Sequence, residues 1–91
     1  MAELTDATIP QLAPGCRWGG TPEAPVVLIP NGSIQMEGSG RVILELCTGQ
    51  FTVEEIIQKL QAQFMLAPRD KIRADVVTFL RQLHAEHIIE Y

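Results

Sequence analysis

Long apolar runs are missing from this chain. No stretch approaches the roughly 18 consecutive apolar residues that a membrane span requires, which excludes a transmembrane helix. Positive charge is also scarce. Seven Lys and Arg stand against eleven Asp and Glu, giving a formal net charge of −4, and that balance argues against a general binder of phosphate backbones. Cysteine is nearly absent: Cys16 and Cys47 lie far apart and form no Cys-x-x-Cys pair, so they read as reduced, packed thiols. The opening segment MAELTDATIPQLAP has Glu3 and Asp6 where a signal peptide carries basic residues, and it has no apolar core segment. A cytoplasmic protein is the expectation.

The motifs of catalysis are missing too. There is no Gly-x-Ser-x-Gly elbow, no Gly-x-Gly-x-x-Gly and no Walker sequence. The histidines are His84 and His87, remote in sequence from either cysteine. At i, i+3 they can share a helix face, but a zinc site wants three or four ligands. With 91 residues the chain has one domain and a thin core, and little room for a deep catalytic cleft. Neither an enzyme nor a metal or other cofactor is expected. A small acidic module that binds something is.

What is present has clear periodicity. Residues 1–14, with Pro10 and Pro14, read as a flexible N-terminal arm, and 15–91 as a single domain. Cys16-Arg17-Trp18 is a short strand candidate, followed by turn chemistry from Gly19 to Glu23. Val26-Val27-Leu28-Ile29 is a β-branched strand, and the Asn31-Gly32 pair after Pro30 suits a tight hairpin turn. In Ser33-Ile34-Gln35-Met36-Glu37 the alternation turns Ile34 and Met36 inward.

Three helices follow. Ser39 is positioned to N-cap a helix over 40–48 whose apolar stripe is Val42, Ile43, Leu46 and Cys47, with Gly49 ending it. Thr52-Val53-Glu54-Glu55 is a capping box opening a second helix with Val53, Ile56, Ile57, Leu60 and Phe64 on one face. Pro68 suits the first position of a third helix running to about Glu86, with Ile72, Val76, Phe79, Leu80 and Leu83 inward. Ile88-Ile89 reads as an extended tail. The expected fold is α+β and winged-helix-like, with a small antiparallel two- or three-stranded N-terminal sheet followed by three α-helices.

Two surfaces stand out for binding. Arg69, Lys71, Arg73 and Arg81 are four of the seven basic residues and all fall on the third helix. In a winged-helix DNA-binding or transcription-associated domain that would be the recognition helix, yet Asp70 and Asp75 interrupt the run and no basic wing accompanies it. The other surface is a sheet edge. If 33–37 is that edge, a peptide can add to it as one more strand. On an ideal helix Arg69, Arg73, Val77 and Leu80 fall within about 80° of one another, forming a flank beside the core stripe that can wall a groove. The same edge and arm would let two copies exchange strands as a homodimer.

Taken in order, Pro10-x-Leu12-x-x-Gly15-x-Arg17, Val27-Leu28-Ile29-Pro30-x-Gly32, Met36-Glu37-x-Ser39 and Val42-Ile43-Leu44-x-Leu46-Cys47-x-Gly49 form a pattern. It continues through Thr52-Val53-x-Glu55-Ile56, Phe64, Ile72-x-x-Asp75-Val76-x-x-Phe79-Leu80-x-x-Leu83 and Ile88-Ile89. This resembles the pyrroloquinoline quinone biosynthesis protein D family, from about residue 8 to 91. The resemblance implies a non-catalytic recognition element that holds a ribosomally made precursor peptide. The partner it implies is a radical S-adenosylmethionine enzyme that cross-links a Glu and a Tyr of that peptide. It places the peptide along Ser33, Ile34, Gln35, Met36 and Glu37 and along helix residues such as Arg73, Val76, Val77 and Leu80. Two positions depart from the pattern: Glu37 where Asn is frequent, and Gly40 where Ala is usual. The rival expectations are the DNA-binding domain and a structural subunit of a larger enzyme.

Overall fold

A computed structural model describes residues 4–36 and 38–91. The chain runs β1 (Gln11–Leu12), β2 (Arg17–Gly20), β3 (Pro25–Ile29), β4 (Gly32–Gln35), α1 (Gly38–Glu45), α2 (Val53–Gln63), α3 (Arg69–Ala85) and β5 (Ile89–Glu90). The expected class, α+β with the sheet ahead of three helices, is the one observed. The sheet has three strands in the order β2-β3-β4, antiparallel throughout.

Local chemistry explains most boundaries. Ile29 pairs with Gly32, so the β3–β4 loop is Pro30-Asn31 and not the expected Asn31-Gly32. The fixed φ of Pro30 suits the second residue of a turn, and Gly32 then enters the strand with φ of 152°. The capping box of α2 forms in full. The Thr52 N–H donates to Glu55 Oε1 at 2.9 Å and the Glu55 N–H to Thr52 Oγ1 at 3.1 Å. Pro68 is the N-cap of α3, one residue before the helix, because its ψ of 143° is extended. Ser39 lies inside α1 rather than capping it. The C-terminus of α3 closes with the Ile88 N–H donating to Leu83 O and the His87 N–H to His84 O, a Schellman arrangement with His87 at φ 61°.

The core is one cluster. Val27 and Met36 come from the sheet side, Ile43, Leu44 and Cys47 from α1 and its end, and Val53, Ile56, Ile57 and Leu60 from α2. Ile72, Val76, Leu80 and Leu83 come from α3, with Ile88 and Ile89 behind it. The buried face of α1 is turned toward Leu44, leaving Val42 and Leu46 only partly covered. Phe64, expected inside, is the C-cap of α2 and is half exposed.

One element has no counterpart in the sequence reading. β1 and β5 pair antiparallel as a second, two-stranded sheet, with Leu12 opposite Ile89. The described part of the segment read as an arm, 4–14, is tied to the body at several points; 1–3 lie outside the described residues. Asp6 O and Thr8 O accept the Glu54 and Val53 N–H groups, Pro10 O accepts that of Gly49, and the Ala13 N–H donates to Ile88 O. The arm therefore satisfies amides at the open end of α2, which a helix cannot satisfy internally.

Candidate functional site

Of the strand residues named from sequence, Ser33, Ile34 and Gln35 lie in β4, an edge strand, and Met36 follows it directly. β4 has β3 on one side and, among the described residues, no strand on the other. Ser33 and Gln35 are exposed, Ile34 is half-buried against the core, and Met36 is buried. That alternation is what a one-sided strand requires. Glu37 lies outside the described residues.

The helix residues named from sequence do not share that edge as a set. Val76 and Leu80 are 0% exposed and belong to the core. Val77 is half-buried. Arg69 pairs with Glu54 and also donates to Gln61 Oε1 at 3.2 Å, so it ties α3 to α2. Arg73 pairs with Asp6 of the arm. The hydrogen bond from Arg73 to Asp6, aided by that carboxylate's charge, raises the pKa of the guanidinium further above its usual range. Lys71 lies 3.8 Å from Asp75. Three of the four cations on α3 thus have a carboxylate partner.

The row Ile72, Val76, Leu80 and Leu83 divides α3 lengthwise. At 100° per residue, Arg69, Arg73 and Val77 fall to one side, and Asp75, Phe79 and Gln82 to the other. The arm and α2 cover the first flank. The second faces the start of α1, two residues beyond the end of β4. Here Phe79 packs its ring over Gly40, where an added Cβ would come within 3.0 Å of the ring.

Between α1 and α3 runs a cleft of about 420 Å³, lined by Ser39, Gly40, Ile43, Asp75, Thr78, Phe79 and Gln82. It adjoins an apolar chamber of about 280 Å³ that reaches back to Leu60, Phe64, Ala67 and Ile72. The two share Ser39, Ile43 and Asp75 as a common wall. A larger open cleft, about 500 Å³, lies among Trp18, Pro25, Arg41, Glu45 and Thr48. Its sheet wall is the other edge strand, β2, and the start of β3, so it does not adjoin β4. Sequence reasoning missed Ser39, Gly40, Thr78, Phe79 and Gln82 as groove residues. The usable signal was the link from β4 to α1, so short that α1 must begin beside the strand's end.

The remaining reactive groups are accounted for by structure. Burial pushes the Cys47 thiol up to about 12, so it stays protonated, and its Sγ donates to Ile43 O. Cys16 is half-buried, and both cysteines are free. His84 stacks on Tyr91 with ring centroids 4.1 Å apart, while His87 occupies the left-handed position after α3. Among the described residues no three His, Cys, Asp or Glu side chains gather as metal ligands, and no helix is long and apolar enough to cross a membrane.

Comparison with known proteins points one way. The family model described as coenzyme PQQ synthesis protein D (PqqD) matches residues 25–89. A protein of Acinetobacter baylyi named PqqA binding protein is 34% identical, over 80% of this chain and 72% of its own. One of the same name from Pseudomonas entomophila is 35% identical over 89% of each chain. A third, from Rahnella aquatilis, is 30% identical over 100% of this chain and 96% of its own. Among solved structures, the solution structure of the PqqD truncation of Methylobacterium extorquens PqqCD superposes with a TM-score of 0.76 at 25% identity, covering 98% of this chain and 96% of that one. That truncation is described as a functional, stand-alone recognition element for a ribosomally synthesised and post-translationally modified peptide.

Proposed function

This chain belongs to the coenzyme PQQ synthesis protein D family, and from that premise we propose that it is the precursor-peptide recognition module of pyrroloquinoline quinone biosynthesis. It binds the PqqA peptide by strand addition along Ser33, Ile34, Gln35, Met36 and Glu37. It acts as an accessory protein, presenting the peptide to a radical S-adenosylmethionine enzyme that cross-links a Glu and a Tyr within it. Two observations support this reading: among the described residues β4 has an unpaired edge, and only two residues separate it from α1, whose start lines the α1–α3 cleft. A strand added to β4 gains main-chain hydrogen bonds at the edge, and its alternate side chains meet α3.

Within this reading the helix side of the groove is the flank of Asp75, Thr78, Phe79 and Gln82. Val76 and Leu80 lie beneath it as floor, and Val77 stands on the shoulder beyond. Arg69 and Arg73 brace the arm and α2, and they reach the peptide only if their carboxylate partners let go. Residues 15–91 supply the binding surfaces, with Asp6 and Thr8 of the N-terminal segment holding the start of α2. The relatives' names and the neighbouring recognition element support the peptide as ligand. The free cysteines fit a reducing compartment, the cytoplasm.

The test is calorimetric titration of the full chain with synthetic PqqA peptide. A second titration uses the same peptide with alternate backbone amides N-methylated across the segment that pairs. Binding to the first and loss of binding to the second is the expected result, because methylation removes the donors that strand addition needs. No binding of the plain peptide, or equal binding of both, contradicts strand addition. The rival winged-helix reading predicts retardation of duplex DNA that falls steeply with salt, and the pairing of Arg69, Lys71 and Arg73 weighs against it.

A further inference from the structure

Resting on the peptide-binding reading above, we propose that the chamber between α1, α2 and α3 is a side-chain pocket for one large apolar residue of the bound peptide. A Lys or Arg of the same peptide sits beside it against Asp75. The chamber opens into the peptide cleft through Ser39, Ile43 and Asp75, so a chain lying in the cleft passes its mouth. Its walls are apolar, with Ile43, Leu60, Ala67 and Ile72 around a floor of fully buried Val76. Its volume of about 280 Å³ has room for a large side chain, and away from Ser39 and Asp75 at its mouth the walls give water no polar side-chain partner. Phe64 at its rim is half exposed, which is the cost of leaving such a surface uncovered.

Charge decides the neighbour. Among the described residues lining the chamber and the cleft, Asp75 is the one charged side chain. Its present partner, Lys71 at 3.8 Å, is loosely held, with the two side chains 70% and 63% exposed. Such an exposed pair contributes little and yields readily to a better-placed cation. The groove is therefore complementary to an apolar and basic segment.

The test compares the full-length protein with its Ala67→Leu and Asp75→Asn variants in titrations with synthetic PqqA peptide, and with that peptide after each Lys or Arg is changed to Gln. Filling the chamber in A67L weakens binding by about tenfold, as loss of one buried anchor does. D75N weakens it by about threefold at low salt, and the effect vanishes for the Gln peptide. If A67L does not fold, methyl spectra of the unaltered protein decide. Peptide must then shift the Ile43 and Ile72 methyls and leave Ile89, at the far sheet, unmoved. Wild-type binding with both variants unchanged, or silent Ile43 and Ile72 methyls, overturns the pocket and leaves the peptide reading intact. A loss in A67L with no change in D75N overturns the basic neighbour alone. No binding by the wild type removes the underlying reading itself.

Discussion

The two flanks of α3 carry opposite lessons about availability. On one, Arg69 and Arg73 are conspicuous in the sequence and already matched in the fold, to Glu54 of α2 and Asp6 of the arm. On the other, Asp75, Thr78, Phe79 and Gln82 form no recognisable motif and line an open cleft against the start of α1. A charge helps to build a binding surface only when the fold has not already given it a partner. The flank that looks like an interface is tied to α2 and the arm, and the flank that looks ordinary lines an open cleft.

Mutations can separate the two roles. The largest effect is expected beneath both flanks: Leu80 is 0% exposed, and Leu80→Ala should cost about 3 kcal/mol of stability in denaturant melts. A cost below about 1 kcal/mol would mean that the row dividing the flanks is not the rigid base described here. Next, Phe79→Ala should weaken PqqA peptide binding by about tenfold while leaving the fold intact, since the ring is only half-buried. Arg73→Ala should leave that affinity within about twofold, because its guanidinium is engaged elsewhere. The reverse order of effects, read by calorimetry, would exchange the roles of the flanks. The smallest effect is expected for Glu54→Gln, which removes the partner of Arg69. It should lower stability by less than about 1 kcal/mol with peptide affinity unchanged, as for other partly exposed pairs.

Much of the fold was legible because it is written in local periodicity. The alternation at Ile34 and Met36, the Thr52–Glu55 capping box and the row from Ile72 to Leu83 each depend on neighbours within one or two turns. The β1–β5 sheet was not legible. Two-residue strands from opposite ends of the chain carry no pattern, and their pairing exists only once α3 brings the ends together. That 33–35 form an edge strand could be read for the same reason as the strand itself. The partners of the helix residues could not, because a helical wheel says which residues share a flank and nothing about what covers it. Arg69 and Arg73 were read as free because their partners, Glu54 and Asp6, are distant in sequence. In the sequence Gly40 is only a departure from the usual Ala, whereas in the fold its missing Cβ makes room for the Phe79 ring. That close approach sets the width of the cleft, so Gly40→Ala should move the ring by a few tenths of an ångström.

The most direct test of this division is an amide chemical-shift map of the ¹⁵N-labelled full chain as synthetic PqqA peptide is added. The account predicts that perturbations fall on 33–36, on Ser39 and Gly40, and on Asp75, Thr78, Phe79 and Gln82, with Asp6, Arg69 and Arg73 unmoved. Perturbations concentrated on Asp6, Arg69 and Arg73, with the cleft silent, would contradict it.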